Sequence, residues 1–233
     1  APGKIAGLSI SAGGAHGRRS SLPPIELPEG AGRDTVRDAL EHWFAALGDA
    51  GEFSGAVLVA CDGEPLFRGA WGLASREWQV PNGVDTRFAL GSINKSFTKI
   101  AIAQLAEAGK LSLGDTIADH LPDYPDTDVA RRVTIRQLVS HTSGLGDIFN
   151  ERYFASSKLL YREPSDYFPV FAGEPLLFEP GEGRAYSNAG YMVLGAIIAA
   201  VSGQSYSEYV EENIFEPAGM TEIGFFARDE IHP

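Results

Sequence analysis

Cysteine is almost absent from the sequence, and so is any long apolar run. Cys61 is the one cysteine, so an internal disulfide cannot form and a cysteine-rich zinc site is excluded. The most apolar run has eleven residues, from Tyr191 to Val201, whereas a membrane-spanning helix needs about 20 residues. We therefore expect no membrane span.

Basic residues are scarce relative to acidic ones. Nineteen Lys and Arg stand against 31 Asp and Glu, which gives a formal net charge of −12 and a pI near 4.8. Because such a surface repels phosphate groups, nucleic acids and anionic membranes are poor candidate partners. The hydrophobic share of 44% over 233 residues is ordinary for a globular protein and sufficient for a real core.

The first 32 residues differ in composition from the rest of the chain. They hold seven Gly, four Pro and four Ser, so residues 1–32 are predicted to be a flexible segment or linker that buries too little apolar surface to offset its ordering entropy. A weak strand within residues 4–11 is the alternative for part of this segment. We expect residues 33–111 to form the N-terminal part of an α/β region and residues 112–233 a mostly helical domain.

Apolar spacing and turn residues predict the first elements of the α/β region. A helix is predicted from Arg33, because apolar residues recur there at three- and four-residue steps, and Gly48 and Gly51 end it. Two β-rich segments, residues 53–60 and 65–71, flank an Asp-Gly turn and predict a β-hairpin.

A second helix is predicted to follow a short strand at residues 88–90 and to begin at Ser92. Its predicted buried face consists of Ile93, Phe97, Ile100, Ala101 and Leu105. Capping residues predict further helix starts at Thr134, Asn188 and Ser205.

The pattern Ser-x-x-Lys occurs twice in succession, as Ser92 with Lys95 and as Ser96 with Lys99. Three residues are nearly one helical turn, so in each pair the ammonium can reach the hydroxyl. Ser92 stands at the start of the helix, where backbone N–H groups lack helical acceptors and stabilise an oxyanion. We therefore predict Ser92 as nucleophile and Lys95 as its partner. The alternative interpretation is a plain N-cap serine and a surface lysine.

A second candidate feature is the segment Tyr186-Ser187-Asn188. Two residues apart on an extended backbone, the side chains of Tyr186 and Asn188 point the same way. A tyrosinate near a lysine can serve as a general base, and an Asn amide can hold both the lysine and a substrate carbonyl. The alternative is an N-cap asparagine behind a packed tyrosine.

His141 ends the helix predicted at residues 134–140. A histidine there is well placed against the helix dipole, and the following Thr-Ser-Gly makes a tight turn, so we interpret His141 as structural. A Ser-His-Asp triad that uses His141 remains an alternative, although the sequence has no Gly-x-Ser-x-Gly elbow.

These motifs together resemble the serine β-lactamase and penicillin-binding-protein superfamily, in particular its class C-like branch of esterases and D-Ala-D-Ala carboxypeptidases. The resemblance covers roughly residues 53–226. The segments that carry it are residues 86–98, 109–113, 133–145 and 186–191.

The resemblance implies an α+β fold, an antiparallel sheet flanked by helices plus a mostly helical domain, and a location outside the cytoplasm. It implies Ser92 as the acylated nucleophile with half of the oxyanion hole at its N–H, Lys95 and Tyr186 as the proton-handling pair, and Asn188 as a ligand of lysine and substrate. Esters, D-amino-acid peptides or β-lactams are the implied small-molecule or peptide substrates, and no metal or cofactor is needed.

The sequence departs from the family pattern downstream of Asn188. The family's third motif, a Lys- or His-led segment ending in Gly on a strand beside the nucleophile, has no match in the 45 residues up to Pro233. The C-terminal strands of the family's sheet are not found either. We therefore expect an incomplete sheet, with a C-terminal fragment of the same protein as a second chain or a truncated sequence. A catalytically silent peptide- or protein-binding module is the alternative function.

Residues 149–178 are rich in aromatics, with eight of the chain's 24. These rings either wall an apolar acyl pocket or form the core of the helical domain.

Overall fold

The computed structural model describes residues 9–10, 23–27 and 29–226. The chain forms two compact units, Ala1–Phe88 and Ala89–Pro233. The predicted division into residues 1–32, 33–111 and 112–233 remains a prediction. Strand β1 (Ser9–Ile10) pairs antiparallel with β2 (Ile25–Glu26). Strand β1 falls within the weak strand suggested for residues 4–11. Residues 4–8 and 11 of that suggestion lie outside the described residues.

The first unit contains the predicted helix and hairpin. Helix α1 (Arg33–Asp49) is followed by β3 (Gly55–Cys61) and β4 (Glu64–Trp71), which pair antiparallel around a two-residue Asp-Gly turn. The prediction of the hairpin is confirmed. Two short strands, β5 (Leu73–Ser75) and β6 (Val80–Pro81), form a further antiparallel pair.

Helix α1 packs against the hairpin through an aromatic cluster. Its apolar stripe is buried as the spacing predicts, through Val36, Leu40, Trp43, Phe44 and Leu47. The rings of Phe44 and Phe67 both stack near Trp71, with centroids 5.3 and 5.9 Å from its ring. Offset stacking of this kind adds to the stabilisation that burial alone provides. The core of this unit therefore lies between α1 and one face of the hairpin.

The second unit is mainly helical. A 3₁₀ turn, Gly91–Ile93, leads into α2 (Asn94–Glu107). The helices that follow are α3 (Ile117–His120), α4 (Thr127–Arg132), α5 (Ile135–Ser140), α6 (Glu151–Ala155), α7 (Phe168–Phe171), α8 (Asn188–Ser202) and α9 (Tyr206–Val210). Two further 3₁₀ turns, Lys158–Leu160 and Pro164–Tyr167, and a π-helical turn, Glu211–Phe215, complete the unit. With the antiparallel strand pairs of the first unit, the chain has the predicted α+β class.

Helix α8 is the centre of this unit. It is apolar on nearly all sides and packs against α2, α5 and α9, so most of its side chains are buried. Its N-cap is Ser187, whose hydroxyl accepts a hydrogen bond from the N–H of Gly190, and not Asn188 as predicted. Asn188 is instead the first helical residue, which frees its amide side chain for other contacts. The predicted caps at Thr134 and Ser205 are confirmed, each as a reciprocal capping box.

Two sequence predictions around α2 are wrong. Residues 88–90 are irregular, because a strand needs a hydrogen-bonded neighbour and the described part of the chain places none beside them. Ile93 and Ile100, assigned to the buried face, are 61% and 43% exposed. Ala101 and Leu105 are buried as predicted and Phe97 packs against the core, while Thr98 and Ile102 complete the buried stripe. Ile100 and Ile102 are about 200° apart around a helix, so the two cannot share a face.

Among the described residues, every helix is too short or too polar to cross a membrane. This agrees with the absence of a long apolar run in the sequence.

Two glycines with positive φ have different surroundings. Gly109 (φ +68°) follows α2, where its N–H and that of Lys110 bond to the carbonyls of Ala106 and Leu105 and so close the helix. No described atom lies within 4 Å of the position that a Cβ at Gly109 would occupy. Gly144 (φ +80°) is buried, and a Cβ there would overlap the backbone carbonyl oxygen of Phe178.

We expect Gly144→Ala to destabilise the protein more than Gly109→Ala. Both alanines incur the left-handed backbone cost of about 1–2 kcal/mol, and Gly144→Ala adds a collision with backbone that cannot rotate away. Chemical denaturation should show a lower midpoint for Gly144→Ala than for Gly109→Ala. Equal midpoints would contradict the close approach of the two loops at Gly144.

Candidate active site

The predicted nucleophile, Ser92, lies at the start of helix α2. Ser92 is in the 3₁₀ turn Gly91–Ile93, directly before α2, and it is exposed. Lys95, three residues on, is half-buried on the same side of the helix. The N–H of Ser92 belongs to a first turn, where helical acceptors are missing. A hydroxyl, an ammonium and an oriented N–H are thus gathered at one helix start.

Two distant segments are hydrogen-bonded to each other to form the opposite side of the site. The N–H of Ala185 donates to the carbonyl of His141 (3.1 Å), and the N–H of Ser187 donates to the Nδ1 of His141 (3.2 Å). The buried Ser187 hydroxyl donates to the carbonyl of Gly146 (2.7 Å). These bonds fix the backbone on both sides of Tyr186, so its phenol is held by its neighbours in the chain.

The four residues predicted from the two motifs come together in the structure. The Oγ of Ser92 and the phenol oxygen of Tyr186 are 2.5 Å apart, although 94 positions separate them in the sequence. The Nζ of Lys95 donates to the Oδ1 of Asn188 at 2.7 Å, and it lies 4.8 Å from the centre of the Tyr186 ring. The roles assigned to these residues remain predictions.

The sequence analysis did not include Asp147, which the structure places in the same network. Its two carboxylate oxygens both accept from the Nδ2 of Asn188, each at 3.0 Å. The available signal was its position, two residues after the resembling segment 133–145. Position alone does not distinguish it from the many other acidic residues of the chain.

Opposing influences act on the acidity of Tyr186. Burial raises its pKa, but hydrogen bonding with Lys95 and Ser92 and the charge of Lys95 lower it by more, while the charge of Asp147 raises it. The pKa of Tyr186 therefore lies below the ordinary tyrosine value of 10.0. The phenolate forms at a lower pH than in a free tyrosine.

A second tyrosine beside Lys95 has the opposite property. The ring centre of Tyr191 is 5.2 Å from the Nζ of Lys95, and its hydroxyl donates to the carbonyl of Val139 at 3.0 Å. Burial and the charge of Tyr186 raise the pKa of Tyr191 to about 12. Of the two phenols around Lys95, Tyr186 is the one suited to losing a proton.

The ring of His141 packs against the ring of Tyr186. Its backbone is left-handed (φ 62°) at the end of α5, and its ring stacks on Tyr186 and lies close to Tyr191, with centroids 4.7 and 5.0 Å apart. Burial lowers the pKa of His141, and the charges of nearby lysines and an arginine lower it further. The neutral ring is the form whose Nδ1 accepts the N–H of Ser187. The ring is therefore engaged by the backbone of Ser187, while the hydroxyl of Ser92 is engaged by Tyr186.

Two further features of the sequence analysis, the second Ser-x-x-Lys pair and the aromatic residues 149–178, lie outside this network. Ser96 and Lys99, the second Ser-x-x-Lys pair, are exposed one turn further along α2. The aromatics of residues 149–178 are mixed: several pack on the core, whereas Phe149 and Phe154 are exposed. Across residues 9–10, 23–27 and 29–226, three or more His, Cys, Asp or Glu side chains nowhere group in a way that could hold a metal ion.

Comparison with known proteins identifies the family. The β-lactamase family profile matches residues 40–233. Penicillin-binding protein 4* of Bacillus subtilis is 37% identical over 201 residues, which cover 84% of this chain and 43% of that protein. The crystal structure of a penicillin-binding protein from Bacillus halodurans superposes with a TM-score of 0.71 at 39% identity, over 81% of this chain and 57% of that one. The hydrolase EstCE1, which has promiscuous acyltransferase activity, superposes with a TM-score of 0.70 at 26% identity, over 84% of this chain and 55% of that one.

The chain belongs to the β-lactamase and penicillin-binding-protein superfamily of serine hydrolases. The predicted resemblance and the β-lactamase-like α+β fold are confirmed. The chain spans about half the length of the relatives that it matches.

We expect Lys95→Met to raise the pKa of Tyr186. The substitution removes the hydrogen bond and the charge that lower this pKa, whereas burial and Asp147, which raise it, remain. Ultraviolet titration of tyrosinate, as the difference from Tyr186→Phe, measures the change. Lys99→Met is the matched control, because Lys99 lies one turn along the same helix and does not contribute to the shift of Tyr186. Equal effects of the two substitutions would contradict the local coupling.

Proposed function

We propose that this chain provides the acylating centre of a serine hydrolase, with Ser92 as nucleophile and Tyr186 as general base. One observation carries the proposal, namely the 2.5 Å distance between the Ser92 Oγ and the phenol oxygen of Tyr186. At this distance a proton can pass directly between the two oxygens. The lowered pKa of Tyr186 supports its role as proton acceptor.

In the acylation step the Tyr186 phenolate takes the proton of the Ser92 hydroxyl, and the Ser92 oxygen attacks the substrate's acyl carbon. The electron pair of the carbonyl moves to its oxygen. When the carbonyl re-forms, the bond to the leaving group breaks, and the leaving group takes the proton back from Tyr186. The product is an ester of Ser92 with Tyr186 again a phenolate.

Lys95 and Asn188 support this proton transfer. The Lys95 ammonium favours the phenolate electrostatically, and its bond to the Oδ1 of Asn188 holds it beside the ring of Tyr186. The N–H of Ser92, in the first turn before α2, is proposed as one donor to the oxyanion. In deacylation, water gives a proton to Tyr186 and attacks the ester, and Ser92 recovers that proton as it leaves.

D-amino-acid peptides are the proposed substrates, with β-lactams as compounds that acylate the same serine. The support for the peptides is an Escherichia coli relative, 30% identical over 213 residues, that carries the name of a D-alanyl-D-alanine carboxypeptidase. The support for β-lactams is the name penicillin-binding protein, which is borne by the B. subtilis relative and the B. halodurans structure. Simple esters are a second class, supported by the similarity to a hydrolase with acyltransferase activity. A location outside the cytoplasm and assembly with a C-terminal fragment of the same protein are proposed with this function.

Covalent labelling tests the proposal with a matched pair of serines. We expect a fluorescent penicillin or a fluorophosphonate to label the protein at its natural length. Ser92→Ala should abolish the label, whereas Ser96→Ala should leave it unchanged, because Ser96 lies one turn beyond the phenol. Intact-mass spectrometry confirms one adduct per chain. Label that persists in Ser92→Ala, or that depends on Ser96, would refute the assignment. A folded wild-type protein without label or turnover would favour the silent binding module instead.

His141→Asn tests the alternative Ser-His-Asp triad. Asparagine tolerates the left-handed backbone of this position, so the expected effects are a lower melting temperature and a modestly slower acylation, by less than roughly 100-fold. Loss of the base of a true triad costs roughly 10⁴-fold or more. Stopped-flow measurement of p-nitrophenol release from an activated ester distinguishes the two results.

A further inference from the structure

Asp147 is hydrogen-bonded to the proposed site through Asn188. Both of its carboxylate oxygens accept from the Nδ2 of Asn188 at 3.0 Å, and the Oδ1 of the same amide accepts from the Nζ of Lys95 at 2.7 Å. Carboxylate, amide and ammonium thus form a continuous chain that ends beside Tyr186. The proposed acylation mechanism assigns no role to Asp147.

These contacts determine which end of the Asn188 amide is the oxygen and which is the NH₂. The two ends of an Asn amide are alike in shape but opposite in hydrogen bonding, because the oxygen only accepts and the NH₂ only donates. Rotated by half a turn, Asn188 would present its NH₂ to the Lys95 ammonium, which also only donates. An ionised carboxylate accepts only, so Asp147 can pair with Asn188 in just one of the two orientations.

The position of Asp147 is itself fixed by bonds on both sides. The N–H of Phe149 donates to its Oδ1 at 3.3 Å, and the carbonyl of the preceding Gly146 accepts the hydroxyl of Ser187 at 2.7 Å. Ser187 is the N-cap of the helix that begins with Asn188. The carboxylate and the amide are therefore attached to the same hydrogen-bonded junction, and their meeting does not depend on a freely rotating side chain.

We propose that Asp147 is a positioning residue for acylation, which fixes the orientation of the Asn188 amide and so holds the Lys95 ammonium beside Tyr186. The inference rests on the proposed function. It predicts that the orienting effect of Asp147 passes through Asn188, and that this effect outweighs the direct effect of the Asp147 charge, which raises the pKa of Tyr186.

A double-mutant cycle tests whether this effect passes through Asn188. The readout is the rate at which fluorescent penicillin acylates the protein at its natural length. We expect Asp147→Ala to slow acylation by roughly 10- to 100-fold, by comparison with the effect of losing outer-shell residues that orient the ligands of a metal ion. In the Asn188→Ala background the same substitution should no longer slow acylation, because the effect that is left, loss of a charge that raises the pKa of Tyr186, favours the phenolate. Asp126→Ala is the control, because Asp126 accepts backbone N–H groups at the start of α4 and should leave the rate unchanged.

Conservative replacement tests the nature of the effect. Asp147→Asn gives position 147 a side chain that donates as well as accepts, so Asn188 can pair with it in either orientation. The rate should therefore fall by a factor similar to that in Asp147→Ala, and the pKa of Tyr186, followed by ultraviolet titration, should rise because Lys95 is no longer held beside the ring. Loss of the Asp147 charge alone would lower that pKa instead. This comparison decides the question even if Asn188→Ala is unreactive. A wild-type rate in Asp147→Asn, or a full loss from Asp147→Ala in the Asn188→Ala background, would overturn the inference. An unchanged rate in Asp147→Ala refutes the inference alone, whereas a wild-type protein that is never acylated refutes the proposed function and the inference together.

Discussion

The contact between the Ser92 hydroxyl and the Tyr186 phenol is the interaction on which the site depends. Either oxygen can donate in it, so the contact by itself does not say which group holds the proton. The balance is set by the surroundings, because Lys95 favours the phenolate while burial and Asp147 oppose it. The acidity of Tyr186 is thus set by the Lys95 ammonium, which lowers its pKa, against burial and Asp147, which raise it.

The scaffold explains how so small a set of groups is held in place. Tyr186 lies between two residues whose backbone N–H groups are bound to His141, and His141 also covers the phenol ring. Gly144 lets the loop after His141 pass against the backbone of Phe178. Each of the hydrogen bonds has a backbone group on at least one side, and they join segments some 40 positions apart in sequence. An exposed phenol is therefore placed by hydrogen bonds of the residues on either side of it.

Sequence reasoning was effective where the determining chemistry is local. The capping boxes at Thr134 and Ser205, the stripe of α1 and the Asp-Gly hairpin all follow from residues within a few positions of one another. It also selected Ser92 and Tyr186, which the structure brings into contact, because each stands beside a recognisable helix start. It failed for Asp147, whose partner is 41 positions away and whose own surroundings resemble any polar loop. It also failed for residues 88–90, since a strand is defined by a neighbour that a local window does not contain.

The tandem Ser-x-x-Lys motif has a consequence for how the nucleophile is specified. Ser92 and Ser96 have the same residue spacing to a lysine and both are exposed, so neither the motif nor the exposure separates them. They differ in position, since Ser92 precedes α2 and Ser96 lies within it, and in the phenol of Tyr186, which contacts Ser92. Under the proposed function, the choice between the two serines is therefore made in part by a segment outside α2 and the turn before it.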